Sequence, residues 1–596
     1  MWFSTGIAAL WLALIPLAAQ AAANPNKVVR LAFEAAEAGF DPVRISDGYS
    51  STVIEAIFDR LLTYDYLARP AKLAPMIAES MPDVADDGRT YTFHLRKGVY
   101  FTPDGAFKGA RRELVAQDFV YMFMRFMDPV NRAPYAFMLE GKIAGLDALG
   151  AAARKSGKFD YDAKLADLEA LDRYTLRIKL TRRDYNFPYV VAHTSFGAVA
   201  REVIEAYPNE TDAHPVGTGP YMLAEWKRAS RIVLVANPGY RGFTWDFTPT
   251  PGDERDVSLV TAMKGKSMPQ VGRVEISIIE EFQTQWLSFR NGQSDVLNLP
   301  SAFRTEAFDP DDALNATLRE QQVSVYKYVE PEIIYAIFNF RDPVVGGFAK
   351  EKVALRRAMI LAYRVDDDIN IVRRHMAAAA EMPVPRGVVG HDPGYRSLNQ
   401  YDPALANRLL DHFGYAKGPD GYRRTPDGKP LVIRQASQKT VVDREHNELW
   451  KKSMDDIGIH MEFDIAPFGE NLKAAKACKV MMWESSWVAD YPDGDNFMQL
   501  LYGPNTGQSN NGCYESKAFD AFYEKSRELP ESPERNRLFL EMSRQMEVDG
   551  AWSLQLSRER RWLIRPWVKG FKRHPILHAE WQYMDIQPPQ GAGEAR

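Results

Sequence analysis

The sequence of 596 residues lacks the signatures of several common enzyme classes. It contains no G-x-S-x-G, no H-E-x-x-H and no phosphate-binding loop with its lysine, which argues against a serine hydrolase, a zinc peptidase and a nucleotide-hydrolysing enzyme. Its ten histidines are scattered along the chain. We therefore expect a protein that is not an enzyme, with no catalytic residues, no metal site and no cofactor.

An excess of positive charge is also missing. The 74 Lys and Arg residues are outnumbered by 79 Asp and Glu residues, which gives a net charge of −5. Nucleic-acid-binding proteins carry a basic patch or stripe, so nucleic acid is not expected as a partner. The composition, 45% hydrophobic and 26% charged, is that of a soluble globular protein. A chain of this length is predicted to form two or three domains.

Long hydrophobic runs are absent beyond the start of the chain. Residues 7–17 are almost all apolar and are followed by small residues at 18–23. This pattern predicts a cleaved signal peptide over residues 1–23, although no Lys or Arg precedes the apolar run. A membrane anchor is the alternative, but spanning a bilayer takes about 20 apolar residues. Because no cysteine follows the cleavage region, we expect an exported periplasmic protein that is not a lipoprotein.

Cysteine is scarce, with only Cys478 and Cys513 in the chain. In an oxidising compartment the two are predicted to form a disulfide. Two buried free thiols are the alternative. Neither cysteine has a His or Cys neighbour at metal-ligand spacing, so a metal site there is not expected.

The residue pattern predicts alternating strands and helices, and hence a mixed α/β protein. Alternating or continuous apolar residues predict strands at 28–33, 91–96, 172–180 and 231–236, the second of them after a turn at Asp86-Asp87-Gly88. Helical spacing predicts helices at 53–62 and from 116 to the stop at Asp128-Pro129. Residues 243–270, rich in Pro, Gly and charge, are predicted to form an exposed insertion.

Eight blocks along the chain resemble, in the same order, blocks of the bacterial solute-binding proteins of family 5, which serve ABC importers. The longest is 78–129, and the others are Ala133-Pro-Tyr-Ala-Phe-Met-Leu139, GTGPY at 217–221, NPGYRG at 237–242, FRNGQSDVL at 289–297, YDPALANRLLDHFGY at 401–415, WVADYPDGDNF at 487–497 and PWVKGF at 566–571. Together they cover nearly the whole chain after the signal peptide.

The resemblance implies the fold and its division into domains. It points to a two-lobe periplasmic binding protein of type II, in the large three-domain peptide-binding class. The domains it implies are lobe I at 24–57, 188–329 and 559–596, an extra domain inserted in lobe I at 58–187, and lobe II at 330–558. Two such lobes are expected to close over a ligand about a hinge.

The resemblance also implies a function, that of a periplasmic receptor that captures peptides, in particular oligopeptides. The expected partners are a peptide or other small-molecule ligand and an inner-membrane ABC permease, and the receptor is expected to be a monomer. A non-peptide cargo such as a sugar, haem or a metal complex is the first alternative. The second is a secreted hydrolase that uses a pair of carboxylates such as Asp490 and Asp493.

The resemblance assigns the ligand-binding residues. Asp490, three residues after Trp487, stands where peptide receptors of the family hold the α-ammonium group of the ligand. A cap on the turn before Pro492 is the alternative role for Asp490. By position, Ser485, Ser486 and Val488, with the loop Gly48-Tyr49-Ser50, would pair with an extended peptide. Trp483 and Trp487 would line the first side-chain pocket.

Two departures from the family pattern leave the partner of a peptide carboxylate open. Glu484 occupies a position where the oligopeptide receptors carry Arg, and Tyr363-Arg364-Val365 replaces the usual Asp-Arg pair after the helix that ends near residue 362. The remaining candidates for binding the carboxylate are Arg356, Arg357 and Lys439.

Overall fold

The computed structural model describes residues 23–85 and 88–587. The predicted signal peptide, apart from residue 23, and residues Asp86 and Asp87 of the predicted turn lie outside the described residues. Within those ranges, none of the helices has the length and apolar character needed to cross a membrane.

The strands are numbered in chain order. They are β1 Asn24–Phe33, β2 Leu62–Tyr64, β3 Leu73–Pro75, β4 Asp83–Val84, β5 Thr90–His94, β6 Leu168–Asp172, β7 Thr175–Lys179, β8 Tyr221–Lys227, β9 Arg231–Ala236, β10 Phe243–Thr244, β11 Ser267–Met268, β12 Val271–Ile278, β13 Val296–Asn298, β14 Ser324–Val329, β15 Glu332–Phe338, β16 Ala377–Ala379, β17 Val432–Ser437, β18 His460–Ile465, β19 Met482–Val488, β20 Trp552–Ile564, β21 Val568–Lys569 and β22 Asp585–Ile586.

The α-helices are α1 Gly48–Ile57, α2 Ala116–Met127, α3 Leu146–Ser156, α4 Phe187–Ala192, α5 Arg201–Ala206, α6 Glu254–Met263, α7 Phe282–Arg290, α8 Arg304–Ala307, α9 Ala316–Glu320, α10 Lys350–Ala362, α11 Val365–Asp367, α12 Pro403–His412, α13 Val441–Asp455, α14 Phe468–Lys476, α15 Asp495–Met498, α16 Lys517–Arg527 and α17 Pro533–Asp549. The predicted mixed α/β class is confirmed by these elements.

Three sheets of four or more strands organise the described chain, beside three two-stranded sheets. Sheet A has the order β1-β12-β9-β8, with β1 parallel to β12 and the other neighbours antiparallel. Sheet B is antiparallel with the order β4-β5-β7-β6. Sheet C has eight strands, in the order β13-β20-β15-β19-β17-β18 with β14 and β16 also paired to β20. The site described below lies where β19 of sheet C ends.

Strand β20 crosses between two halves of sheet C, beside β14 and β15, which follow one another in the chain; β14, β15 and β20 are called the crossing strands. Its first half pairs with β15 and β16, and its second half pairs with β13 and β14. Beside the crossing, the Nε of Arg558 donates to the fully buried Glu332 at 2.5 Å, and the Nε of Arg560 donates to Glu330 at 3.1 Å. Two adjacent crossing strands are the geometry of a hinge. The predicted boundary between residues 558 and 559 falls inside β20, and the division into lobes stays a prediction.

Most of the predicted elements are confirmed, with one helix misplaced. The strands β1, β5, β7 and β9 and the helix α2 lie where the sequence predicts them. Helix α1, however, begins at Gly48 and ends at Ile57, so the predicted helix at 53–62 is wrong in its bounds. The reason is the cap, because the side chain of Asp47 accepts a hydrogen bond from the N–H of Ser50 at 2.7 Å and starts the helix early.

The predicted exposed insertion at 243–270 is only partly right, because much of the segment is exposed but a few of its residues are buried. Trp245 in this segment is fully buried and donates its indole N–H to the backbone of Tyr583 at 3.1 Å. Helix α6 carries Asp256, also fully buried, to the ammonium group of Lys572, with a closest N–O distance of 2.6 Å. Asp256 in this segment therefore forms a buried contact to the C-terminal part of the chain, which the polar composition of the segment did not reveal.

Candidate functional site

Two large cavities meet at the end of β19. Cavity 1, of about 700 Å³, is lined by β19, α14 and residues 499–511 on one side and by residues 133–142 on the other. Cavity 2, of about 550 Å³, is lined by the end of β1, the start of α1, the crossing strands and residues 571–584. Both cavities are lined by Ser46, Tyr135, Val488 and Asp490. Asp490 therefore stands at the junction of the two.

Strand β19 presents its backbone edge to cavity 1. Ser485, Ser486, Trp487 and Val488 all line this cavity. Side chains along a strand alternate between its two faces, so four consecutive lining residues mean that the strand edge faces the cavity. One edge pairs with β15 along the whole of β19. Within the described residues, β17 pairs with the other edge only at Met482 and at Trp483, which leaves the rest of that edge available to a ligand.

The carboxylate of Asp490 lies at the end of this free edge without a cationic partner. It accepts a hydrogen bond from the side-chain amide of Asn496 at 3.0 Å, and the N–H of Asp490 donates back to Asn496 at 3.0 Å. No ion pair to Asp490 forms within residues 23–85 and 88–587. Burial raises the pKa of Asp490 to about 6, against the opposite effect of the Asn496 hydrogen bond. The charged form of a buried carboxylate that lacks a cationic partner is stabilised when a ligand supplies a cation.

The neighbouring Asp493 has a different role. Its carboxylate forms a two-fold ion pair with Arg535, at 2.6 and 2.7 Å, and both side chains are buried. It also accepts the N–H of Asp495 at 2.9 Å, so Asp493 rather than Asp490 organises the turn. Asp493 lines neither cavity. The alternative of a hydrolase with Asp490 and Asp493 as paired carboxylates is therefore not supported by the geometry.

Glu484 lies in a buried polar network instead of in a cavity. His446 contacts Glu484 through Nδ1 and Asp368 through Nε2, each at 3.1 Å. Burial would lower the pKa of His446, but these two carboxylates raise it to about 10. Burial would raise the pKa of Glu484, but His446 holds it at about 2. Tyr363 donates its hydroxyl to Asp368 at 2.9 Å, so the two departures from the family pattern belong to one network.

The sequence-predicted residues near α1 are only partly placed at the cavities. Gly48 and Tyr49 line cavity 2, but they belong to the first turn of α1 and not to a loop. Ser50 lines neither cavity, because its fully buried hydroxyl accepts the N–H groups of Ala38 and Gly39. Ser46, which the sequence reading missed, lines both cavities. Its position just before the Asp47 cap was the available signal.

The tryptophans predicted for the first pocket both line cavity 1. Trp483 is 2% exposed and contacts Phe468 of α14, with a ring-centroid distance of 5.8 Å. Trp487 donates its indole N–H to the side chain of Asn496 at 3.0 Å, the same amide that contacts Asp490. Asn496 thus positions both Trp487 and Asp490, a role that no pattern in the sequence indicated.

The three cations considered for a ligand carboxylate lie elsewhere. Arg356 is fully buried and donates to the backbone carbonyls of Val345, Gly347, Asp549 and Gly550. Arg357 and Lys439 line neither cavity. The cations that do line a cavity are Lys142, Lys476 and Arg527 in cavity 1 and Arg60, Arg558, Arg560 and Arg573 in cavity 2.

A disulfide supports one wall of cavity 1. Cys478 follows α14, and Cys513 follows the segment 499–511 that lines the cavity; the two sulfurs are bonded, with a Cα–Cα distance of 6.1 Å. Lys476 and Ser509, close to the two ends of this bridge, both line cavity 1. The bridge therefore joins two lining segments that are 35 residues apart in sequence.

Comparisons with known proteins agree with this architecture. The profile of the bacterial extracellular solute-binding proteins, family 5 (middle), matches residues 72–509. Heme-binding protein A of Haemophilus influenzae is 24% identical over 545 residues, which cover 90% of this chain and 88% of that protein. Di/tripeptide-binding protein 2 of Pseudomonas aeruginosa is 25% identical over 566 residues, which cover 91% of this chain and 92% of that protein.

A solved structure shares the fold. The ABC transporter-associated periplasmic binding protein DppA from Helicobacter pylori, in complex with peptide STSA, has a TM-score of 0.72 to this chain at 21% identity. The match covers 94% of this chain and 98% of that one. It supports the two-lobe architecture expected from the sequence.

Proposed function

Because the chain belongs to the bacterial extracellular solute-binding proteins, family 5, we propose that it is the receptor of an ABC importer and that it captures peptides in the cleft formed by cavities 1 and 2. The observation that carries the proposal is the free edge of β19 leading to the unpaired carboxylate of Asp490. The receptor acts in the periplasm and passes its ligand to a membrane permease.

The free edge binds the backbone of an extended peptide. Backbone N–H and C=O groups of Ser485 to Val488 form hydrogen bonds that depend little on the peptide sequence, as in β-strand addition. The α-ammonium group reaches Asp490 and supplies the missing cation. The peptide then extends from Asp490 through cavity 1, toward Trp483 and Lys476.

Closure about β14, β15 and β20 encloses the ligand. Two contacts join the sides of the cleft in this structure: Asn186 donates to Asp493 at 3.2 Å, and the rings of Tyr189 and Tyr491 stack with centroids 6.0 Å apart. A ligand that binds both sides favours the closed arrangement by its differential affinity. The lobes are those of the predicted division, with the hinge in the crossing strands.

The names of the relatives support a peptide cargo and define its rival. The Pseudomonas aeruginosa relative is a di/tripeptide-binding protein, and the Helicobacter pylori structure holds a peptide. The Haemophilus influenzae relative is a heme-binding protein. Haem has no α-ammonium group for Asp490, so the geometry favours the peptide.

Calorimetry with defined ligands tests the proposal. Tri-alanine is expected to bind, N-acetyl-tri-alanine to bind at least 100-fold more weakly because it lacks the cation, and haemin not to bind. Mass spectrometry of the ligands that copurify with the protein identifies intact peptides in the same experiment. Haemin binding without peptide binding would refute the peptide assignment, and cleaved products of an added peptide would point to an enzyme.

A further inference from the structure

Cavity 2 contains buried hydrogen-bond donors that nothing in the described chain satisfies. Arg60, Tyr64 and Trp581 line this cavity and are at most 2% exposed. The Nε and Nη1 atoms of Arg60, the hydroxyl of Tyr64 and the indole nitrogen of Trp581 have no hydrogen-bond partner among the described residues. Unsatisfied buried donors are costly, so a ligand that satisfies them gains affinity.

The other arginines of cavity 2 are already paired. Arg558 forms an ion pair with Glu332, Arg560 with Glu330, and Arg573 with Glu580. Arg60 differs, because its closest carboxylate, Glu55, is 3.8 Å away and its side chain makes one hydrogen bond, to Thr63 at 3.3 Å. Among the described residues, Arg60 is thus the cation of cavity 2 whose unsatisfied donors are themselves buried.

This donor group and Asp490 line the same cavity. The charges of Arg60 and Asp490 both act on the hydroxyl of Tyr64, whose pKa burial raises well above its usual value. His193, also in the lining, is kept neutral because burial and then the charge of Arg60 lower its pKa to about 3. A ligand held at Asp490 therefore has Arg60 and Tyr64 within the same recess.

The position of Asp490 between the cavities decides which part of a ligand reaches these donors. If the peptide backbone follows β19 through cavity 1, the group at the ammonium end that is left to occupy cavity 2 is the side chain of the first residue. We propose that cavity 2 is the subsite for this first side chain and that it selects a side chain that accepts hydrogen bonds, Glu or Gln. This assignment takes the place of the one expected from the sequence, in which Trp483 and Trp487 line the first pocket, because both tryptophans line cavity 1 and not cavity 2. This inference rests on the proposed function.

One other group in cavity 2 favours the opposite selectivity. The side chain of Glu34 lines the cavity, accepts a hydrogen bond from Asn298 at 3.3 Å and forms no ion pair within the described ranges. Its charge would favour a basic first residue. The two possibilities are separated by experiment, because they predict opposite orders of affinity for Glu and Lys at the first position.

Calorimetry with four tripeptides, X-Ala-Ala with X as Glu, Gln, Met or Lys, tests the inference. Met is the matched apolar control because it is unbranched and of similar length. Glu or Gln is expected to bind about 10- to 100-fold more tightly than Met, the range for hydrogen bonds to a charged donor. The difference between Glu and Gln shows whether the subsite requires a charge.

Variants connect the preference to the recess. Arg60→Lys keeps the charge but loses the planar fork, and Tyr64→Phe removes one donor, so each is expected to reduce the ratio of Gln to Met affinity. Arg125→Lys is the matched control, since Arg125 is 1% exposed, pairs with Asp41 and lines neither cavity. It is expected to lower stability and leave the ratio unchanged.

Three results would overturn the inference: equal affinity for Gln and Met, tightest binding of Lys, or a ratio that both recess variants leave intact. If the peptides bind without preference, this inference fails and the proposed function stands. If none of the four peptides binds, the proposed function fails with it.

Discussion

Replacing Asp490 with Asn is expected to stabilise the free protein and weaken its binding of peptide. The two effects share one cause, the unpaired charge at the junction of the cavities. Asn is similar in size and can keep a hydrogen bond to Asn496, so the local geometry is retained. Few substitutions at a structural position have effects of opposite sign on stability and binding, which makes the pair of measurements informative.

The stability effect follows from the pKa of Asp490, raised from 3.8 to about 6. A raised carboxyl pKa means that the native state binds the proton more tightly than the unfolded state does. Stability is therefore lost as the pH rises from about 4 to about 6, and the charged carboxylate costs roughly 1 to 3 kcal/mol at pH 7. Asp490→Asn removes this cost at pH 7, but the gain is expected to disappear near pH 4.

The binding effect is larger and opposite. Removing one partner of an enclosed charge pair typically costs ~2 to 5 kcal/mol, which is about two to four decades in affinity. In the ligand-free protein the carboxyl group of Asp490 is protonated below about pH 6. The affinity of the native protein for tri-alanine is therefore expected to fall as the pH is lowered from 7 to 5. The Asn variant is expected to show a weaker and flatter pH dependence.

Scanning calorimetry and titration calorimetry at pH 4, 5 and 7 measure both quantities. Asp493→Asn is the matched control, because the same change three residues away leaves Arg535 buried without its partner and is expected to destabilise by about 3 to 5 kcal/mol. Equal affinity of the native protein and Asp490→Asn for tri-alanine would refute the ammonium contact. A loss of stability in Asp490→Asn like that of the control would show that Asp490 is a structural residue.

Three further predictions concern closure, the disulfide and the buried network. Saturating tri-alanine is expected to reduce the radius of gyration in small-angle scattering and to raise the melting temperature by mass action; unchanged scattering would contradict the two-lobe trap. Replacing Cys478 and Cys513 by Ser is expected to lower the unfolding free energy by about 2 to 4 kcal/mol, and two free thiols in denatured, unreduced protein would exclude the bond. Glu484→Gln is expected to lower the unfolding free energy most between about pH 4.5 and 6.5. The raised pKa of His446 contributes stability that is lost as the pH rises toward 10, and the lowered pKa of Glu484 contributes stability that is lost as the pH falls toward 2. A loss of unfolding free energy that is constant from pH 5 to 10 in denaturant titrations would refute the ion pair of His446 and Glu484.

Local patterns in the sequence determined much of the fold. Apolar residues at helical spacing, ended by Asp128-Pro129, were sufficient to predict α2, and the apolar run at 231–236 predicted β9. These signals are local because backbone hydrogen bonds and proline act within a few residues. The blocks along the chain likewise indicated the family, and Asp490 was selected as a candidate ligand-binding residue from its position after Trp487.

Only the tertiary structure decided how these residues work together. The sequence could not show that β19 turns a free edge to a cavity, because the absence of a neighbouring strand is a property of the whole sheet. It could not show the recess at Arg60, or the ion pair of Asp256 with Lys572 across 316 residues, since side chains distant in sequence meet only when the chain folds. Interactions between residues that are close in sequence can be predicted from the sequence, whereas burial and the pairing of distant charges are determined by the packing of the folded chain.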